Sequence, residues 1–354
     1  MANEMNRLLK LMFEKNASDL HVTAGSPVQL RVDEDLVAVD DKVLSADEAR
    51  ALIYGMLNDD QIKKFEEDLE LDIAFSIEAL GRFRVNVFKQ KGSVATSIRL
   101  IPHDIWTFEQ CGLPVSVALD LCKRPRGLVL VTGSTGSGKS TSLASMINWI
   151  NENRSCHIVT IEDPVEFVHK HKKAIVNQRE IHNDTRTFGA ALKHVLRQDP
   201  DVILIGEMRD LETIESALII AETGHLVFAT LHTSDSIQTI NRIIDVFPSH
   251  QQQQIRTQLS FVLIGALSQQ LIPKIKGQGR VLATEVLLVT PAVRSMIRES
   301  KIHQIYSVMQ TSQREGMKTM NQALYELYQG RQISYEEAFE RSTDVEDLGR
   351  IFKR

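Results

Sequence analysis

Hydrophobic positions in the first hundred residues change period several times. Met5, Leu8, Leu9, Met12 and Phe13 recur at helical spacing, which predicts a short amphipathic helix over residues 3–15. SDLHV, PVQLRV and LVAV then read as short strands, with turns at Gly25–Pro27 and Asp33–Asp35. Ser45 with Glu48 forms a capping box for a helix to about Leu57, and Gln61 to Leu69 can form another. LDIAFSI, FRVNVFKQ and VATSIRLI follow as strands, with turns at Leu80-Gly81 and Lys91-Gly92. This pattern predicts a small α+β domain with an antiparallel sheet.

Pro102 to Pro125 is less periodic and reads as a linker with an entry helix. From Leu128 the pattern alternates. Strand candidates are LVLVT, CHIVTI at 156–161, DVILIG at 201–206 and HLVFATL at 225–231; helices include Lys139–Asn153 and Leu211–Glu222. Short apolar strands with helical crossovers predict a parallel sheet covered on both faces. After Asp235 the chain reads as mostly helical, interrupted by a hairpin from LIPKI to VLATEVLLV around Gly277-Gln278-Gly279. Helices are expected from Pro291 to about Glu340, and the four glutamines at 251–254 are expected on a solvated helix face.

Composition narrows this little. At 354 residues the chain can hold two domains, and 43% hydrophobic with 25% charged residues is ordinary for a soluble globular protein. A net charge of −5 supplies no basic field for nucleic acid or anionic lipid. Cys111, Cys122 and Cys156 make no CxxC pair, which suits a reducing cytosol. MANEMNRLLK lacks the apolar core of a signal peptide, and no run approaches the roughly 18 apolar residues of a membrane span. No membrane insertion is therefore expected.

The strongest chemical signal is LVLVTGSTGSGKST, residues 128–141. Its Gly133–Ser140 segment fits G-x-x-x-x-G-K-[ST], between a strand and a helix, the context a phosphate-binding loop needs. Gly133, Ser134, Thr135, Gly136, Ser137 and Gly138 can wrap backbone N–H groups around a polyphosphate. Lys139 can reach the β- and γ-phosphates, Ser140 can ligate Mg2+, and Thr141 continues the helix N-terminus that faces the anion. The pattern as a whole points to a RecA-like P-loop core.

Hydrolysis of ATP needs an oriented water, a metal and positive charge as well. Glu162 and Glu207 each follow a buried strand, at the carboxyl end where open parallel sheets bind ligands. One can activate water and the other hold magnesium; spacing alone leaves the division open. The usual Walker B aspartate is missing, since Gly206 precedes Glu207. His225 and His232 bracket a strand and lie roughly 23 Å apart if it is continuous, too far to share a metal. His232 is at the carboxyl end, while His225 suits a structural or interface role. Arg82 and Arg84 share one strand face, with Arg99 nearby: either a solvated edge or charge supplied to a nucleotide from another domain or subunit. The basic runs Lys123–Arg126 and His169–Lys173 read as solvated loops.

Four stretches together resemble a known family, the type II/IV secretion ATPases, and within it the type IV pilus retraction ATPases. GSTGSGKST at 133–141 is similar to their Walker A, IEDPVEF at 161–167 to their Asp box, RQDPDVILIGEMRD at 197–210 to an atypical Walker B, and TGHLVFATLHTSDS at 223–236 to their His box. The resemblance implies a PAS-like domain over 1–101, a linker over 102–114, and a RecA-like ATPase domain over 115–354 with a helical extension from 291. It implies a homo-hexamer with nucleotide between the two domains. Glu162 becomes the catalytic base, Glu207 the Walker B acid at magnesium, and Arg82, Arg84 and Arg99 phosphate-reaching groups. Both histidines belong to the His box. The output implied is a cytoplasmic motor, peripheral to the inner membrane, that acts on an inner-membrane platform protein and only indirectly on the pilin fibre, with no direct nucleic-acid contact. Extension and type II secretion relatives usually carry further N-terminal domains and often a four-cysteine zinc motif, for which this chain has neither length nor cysteines. The family's AIRNL motif corresponds to Ala292–Ile297, where Arg294 is kept and serine stands at 295. The alternatives are a pilus-extension or type II secretion ATPase, a nucleic-acid translocase, or a regulatory module that holds ATP without turnover.

Overall fold

Alternation in the first hundred residues builds a six-stranded antiparallel sheet. A computed structural model describes residues 2–15, 17–32, 35–77, 80–101, 105–275 and 279–353. The chain divides into two compact units, Met1–Asp104 and Ile105–Arg354. In the first, the strands are β1 (Asp19–Val22), β2 (Gln29–Val32), β3 (Asp35–Ala38), β4 (Glu70–Ile77), β5 (Gly81–Gln90) and β6 (Ser93–Ile101), in the order β3-β2-β1-β6-β5-β4. Phe83, Val85 and Val87 of β5 point into the core, while Arg82, Arg84 and Asn86 take the other face. Helices Ala2–Glu14, Ala46–Tyr54 and Asp59–Asp68 close the apolar side through Met5, Leu8, Leu9, Met12, Ile53 and Phe65. The Ser45–Glu48 capping box is formed as expected. At the β5–β6 hairpin Lys91 has φ 47° and Gly92 φ 77°, the paired positive angles of a turn that matches strand twist. The turns expected at Asp33–Asp35 and Gly277–Gly279, and the start of the expected linker at Pro102, fall wholly or partly outside the described residues.

The second unit holds β7 (Gly127–Thr132), β8 (His157–Glu162), β9 (Ile175–Glu180), β10 (Val202–Ile205), β11 (Leu226–Leu231), β12 (Leu263–Pro273) and β13 (Arg280–Leu288), in the order β13-β12-β7-β11-β10-β8-β9. All pairings are parallel except β12–β13. β7, β10 and β11 are buried along their whole length, so they show no alternation. One face packs Leu128, Leu130, Val159, Ile203 and Val227 against helices Phe188–Val195, Leu211–Glu222, Ser236–Asp245 and Gln252–Val262. The other packs Val129, Val131, Ile158 and Phe228 against Val115–Lys123 and Lys139–Asn153. Each such side chain contributes about 1.5–3 kcal/mol of burial. Phe108 and Leu113, ahead of these helices, are buried in the same core.

Three sequence expectations change. β9 was not among the strand candidates; it is the edge strand beside β8. The hairpin joins the main sheet, because β12 begins at Leu263, directly after helix Gln252–Val262, and runs parallel to β7. His169, expected in a solvated loop, is 7% exposed, and burial pushes its imidazole down to about 4; Lys170 to Lys173 are exposed. The extension continues to helix Val345–Phe352 and stands on the outer hairpin, packing Met320, Leu324, Ile333, Ala338 and Leu348 against Ile272 and Ala283.

Candidate nucleotide-binding and catalytic site

β7 runs between β11 and β12 and delivers the glycine loop to the carboxyl edge of the sheet. Gly133, Gly136 and Gly138 have φ of 142°, 78° and 89°, which a Cβ disfavours. Gly133 is further constrained by contact: a Cβ there would lie 2.4 Å from the Gln269 carbonyl oxygen and 2.5 Å from Ser137 Oγ. β12 thus presses on the loop, and it grips it as well. Thr132 Oγ1 donates to Ser268 Oγ at 2.9 Å, and Gln269 Nε2 donates to Ser142 Oγ at 2.8 Å. Helix Lys139–Asn153 starts at Gly138 without a side-chain cap, so its first N–H groups point at the loop's concavity. Ser137 Oγ is buried without a protein partner, while Ser134, Thr135 and Gly136 are exposed and Ser140 and Thr141 half-buried. Lys139 Nζ donates to the carbonyls of Gly133 at 2.7 Å and Ser134 at 2.9 Å. Burial pushes this ammonium's pKa down, opposed by the charges of Glu207 and Glu166. An uncapped helix start, an orphan hydroxyl and a curled glycine loop fit a polyphosphate.

Glu162 ends β8 one strand removed from the edge. Thr160 Oγ1 donates to its Oε1 at 2.6 Å, and Gln178 Nε2 donates to the same oxygen at 3.2 Å. The residue as a whole is half-buried, but its carboxyl is enclosed by protein atoms, and that enclosure pushes it up to about 7 against these hydrogen bonds. The following turn carries a cis Asp163–Pro164 bond and is fastened to β9: Val165 N–H donates to Glu180 Oε2 at 3.0 Å. Gln178 and Glu180 were not found by sequence reasoning.

Glu207 follows β10. Its Oε1 is 3.2 Å from His232 Nε2, and its Oε2 is 2.8 Å from Arg209 Nη2. Burial raises this carboxyl, but the bonds and charges of Arg209 and His232 win and hold it below the usual carboxylate range. Arg209 was also missed, although it stands in the same stretch as Glu207. Gly206 explains the absent aspartate. Its N–H donates to Ile161 O at 2.8 Å, and a Cβ would lie 3.2 Å from both Glu162 Cα and Ile161 O. Those neighbours are backbone and cannot swing aside. Gly206→Asp is therefore expected to cost about 1–3 kcal/mol of stability and to displace Glu162; a thermal melt with no loss would refute the crowding.

The carboxyl edge thus gathers the loop, Lys139, Glu162, Glu207 and His232. His225 lies at the other end of β11, where its Nδ1 is 3.1 Å from both Ile220 O and Thr223 Oγ1 and its carbonyl accepts Gly127 N–H at 3.0 Å. In the first unit Arg84 and Arg99 stand opposite each other on β5 and β6, Asp19 stands opposite Arg99, and Arg31 opposite Asp19. Arg99 Nε donates to Asp19 Oδ1 at 2.8 Å. With Arg82 two positions from Arg84, these residues make a basic row on the face away from the core.

A phosphate loop at the carboxyl edge of a RecA-like sheet, with acidic residues at two neighbouring strand ends, defines a P-loop nucleoside-triphosphatase. Among such proteins the chain belongs to the type II/IV secretion system protein family, whose model matches residues 1–340. It is 48% identical over 345 residues to the type IV pilus retraction ATPase PilT of Pseudomonas aeruginosa, covering 98% of this chain and 100% of that one. It is 43% identical over 350 residues to the type IV pilus ATPase PilU of the same organism, covering 99% and 91%. A crystal structure of the pilus retraction motor PilT with bound ADP matches with a TM-score of 0.92 and 51% identity, covering 97% of this chain and 98% of the other. The Legionella pneumophila ATPase DotB matches with a TM-score of 0.81 at 27% identity, over 96% and 95%.

Proposed function

We infer that this chain is an ATPase motor that drives type IV pilus retraction. One observation carries the reading: the Glu162–Glu207–phosphate-loop constellation sits in a chain that matches a pilus retraction motor over nearly its full length. Residues 133–141 cradle the triphosphate of ATP, with Lys139 exchanging its loop carbonyls for phosphate oxygens. Glu162 accepts the proton of the attacking water. Ser140 and Glu207 would hold Mg2+, which would supply charge neutralisation at the phosphates, while His232 and Arg209 keep Glu207 ionised and oriented. Arg82, Arg84 and Arg99 are the phosphate-reaching groups that the family resemblance implies, and His225 keeps a structural part at the base of its strand.

The work is mechanical. In this reading the chain acts as a homo-hexamer on the cytoplasmic face of the inner membrane, pushes on a platform protein, and so withdraws pilin from the fibre base. Among the described residues no helix is long and apolar enough to cross a membrane, consistent with attachment through that partner. The boundaries proposed are 1–101, a connection over 102–114, and an ATPase domain over 115–354, with Phe108 and Leu113 of the connection packed in the core of the second unit. Ser295, which stands where the family has asparagine, donates to Oε1 of Glu299, the residue that caps helix Pro291–Arg298, at 2.6 Å. Deleting the gene in its piliated host is expected to give hyperpiliated cells that do not twitch. Cells without pili would overturn retraction in favour of extension.

A further inference from the structure

Gln178 makes three hydrogen bonds with one amide, and all three concern the segment around Glu162. Its Oε1 accepts the His169 backbone N–H at 2.7 Å, its Nε2 donates to the Phe167 carbonyl at 2.8 Å, and the same Nε2 donates to Glu162 Oε1 at 3.2 Å. The amide therefore pairs with the backbone of 167–169 as a neighbouring strand would, and uses its remaining donor on the carboxylate. Thr160 approaches that oxygen from within β8 at 2.6 Å. Two donors on one oxygen restrict the carboxyl's rotation, and both favour its charged form in a setting where burial disfavours it. Glu180, two residues further on β9 and thus on the same face, holds the start of the loop through Val165 N–H. Strand β9 so fixes both ends of the turn that carries Glu162's neighbours, and Gln178 also touches the carboxylate.

We propose that Gln178 is a positioning residue for ATP hydrolysis, locking the Glu162 carboxylate to the 163–169 turn in the orientation that receives the water proton. This rests on the reading of Glu162 as the base. Gln178 acts through Glu162, so its removal matters only while that carboxylate is present.

The test is a double-mutant cycle in the full chain, read by phosphate release and by affinity for a fluorescent ATP analogue. Gln178→Leu is expected to lower kcat on the order of 10- to 100-fold, the scale of a misplaced catalytic group, with KM for ATP and analogue affinity within about 2-fold of wild type. In a Glu162→Gln background, adding Gln178→Leu is expected to lower the residual rate no further. If Gln178→Leu does not fold, Gln178→Met, of matching length, takes its place. An unchanged kcat overturns the proposal. So does an equal fold-loss in both backgrounds, which is the mark of a merely structural role. A Glu162→Gln single variant with wild-type kcat would instead sink the assignment of the base, a separate result.

Discussion

Glu162→Gln is expected to reduce kcat for ATP by about 10²–10⁴-fold, the range a general base contributes, with little change in nucleotide affinity. Glutamine keeps the shape and can still accept from Thr160, so the loop and sheet should be undisturbed. What it loses is the ability to take a proton. The measurement is single-turnover phosphate release beside equilibrium binding of an ATP analogue, and a wild-type rate would exclude Glu162 as the base. The carboxyl's environment adds a pH signature. Enclosure pushes it up to about 7, so it becomes protonated, and unable to act, as pH falls through that value. Because kcat/KM reports the free enzyme, it should rise with pH to a plateau with a midpoint near 7. An ordinary glutamate, with its pKa of roughly 4.3, would give a flat profile across the same range.

Lys139→Ala is expected to fail at an earlier stage. Its ammonium lies in the loop on the Gly133 and Ser134 carbonyls, already largely stripped of water. A charged hydrogen bond is worth roughly 1.5–3 kcal/mol, so losing the phosphate contacts should weaken ATP binding about 10- to 100-fold and abolish measurable turnover. The two variants thus separate: one binds without hydrolysing, the other scarcely binds. A Lys139→Ala chain that binds the analogue as tightly as wild type would remove the lysine from the phosphate site.

The phosphate loop and the helices Lys139–Asn153 and Leu211–Glu222 were legible because local chemistry dictates them. Glycine placement, a helix start and a uniform apolar stripe need no distant partner. Gly206 is a different case. Its presence was visible, but the reason for it, the approach of a neighbouring strand's backbone, is a tertiary fact. β9 escaped notice because IVNQRE has exposed Ile175 and Asn177 and a buried Glu180, against the usual sense of an amphipathic strand. Gln178 and Glu180 turn toward the Asp-box segment, where their side chains make hydrogen bonds. The full length of β12 was hidden for the opposite reason: LIGALSQQ is covered on both sides, and small or amide side chains pressed on the loop leave no hydrophobic period. Glu207 was legible by position, whereas its partner Arg209 looked like any surface arginine until the fold set it beside the carboxylate.

The sheet order divides the site mechanically. β7, which carries the phosphate loop, is flanked by strands on both sides, so moving it breaks two ladders. β9, which holds Glu162 in place, is laddered on one side only. Edge elements open locally at lower free energy than central ones. The strand that grips phosphate is therefore the stiffer, and the strand whose side chains orient the base, though not β8 that carries it, is the more readily opened. Strain passing through the chain would be felt first in the timing of hydrolysis and only later in the hold on nucleotide, which is a useful order for a machine that must not drop its fuel when it is pulled.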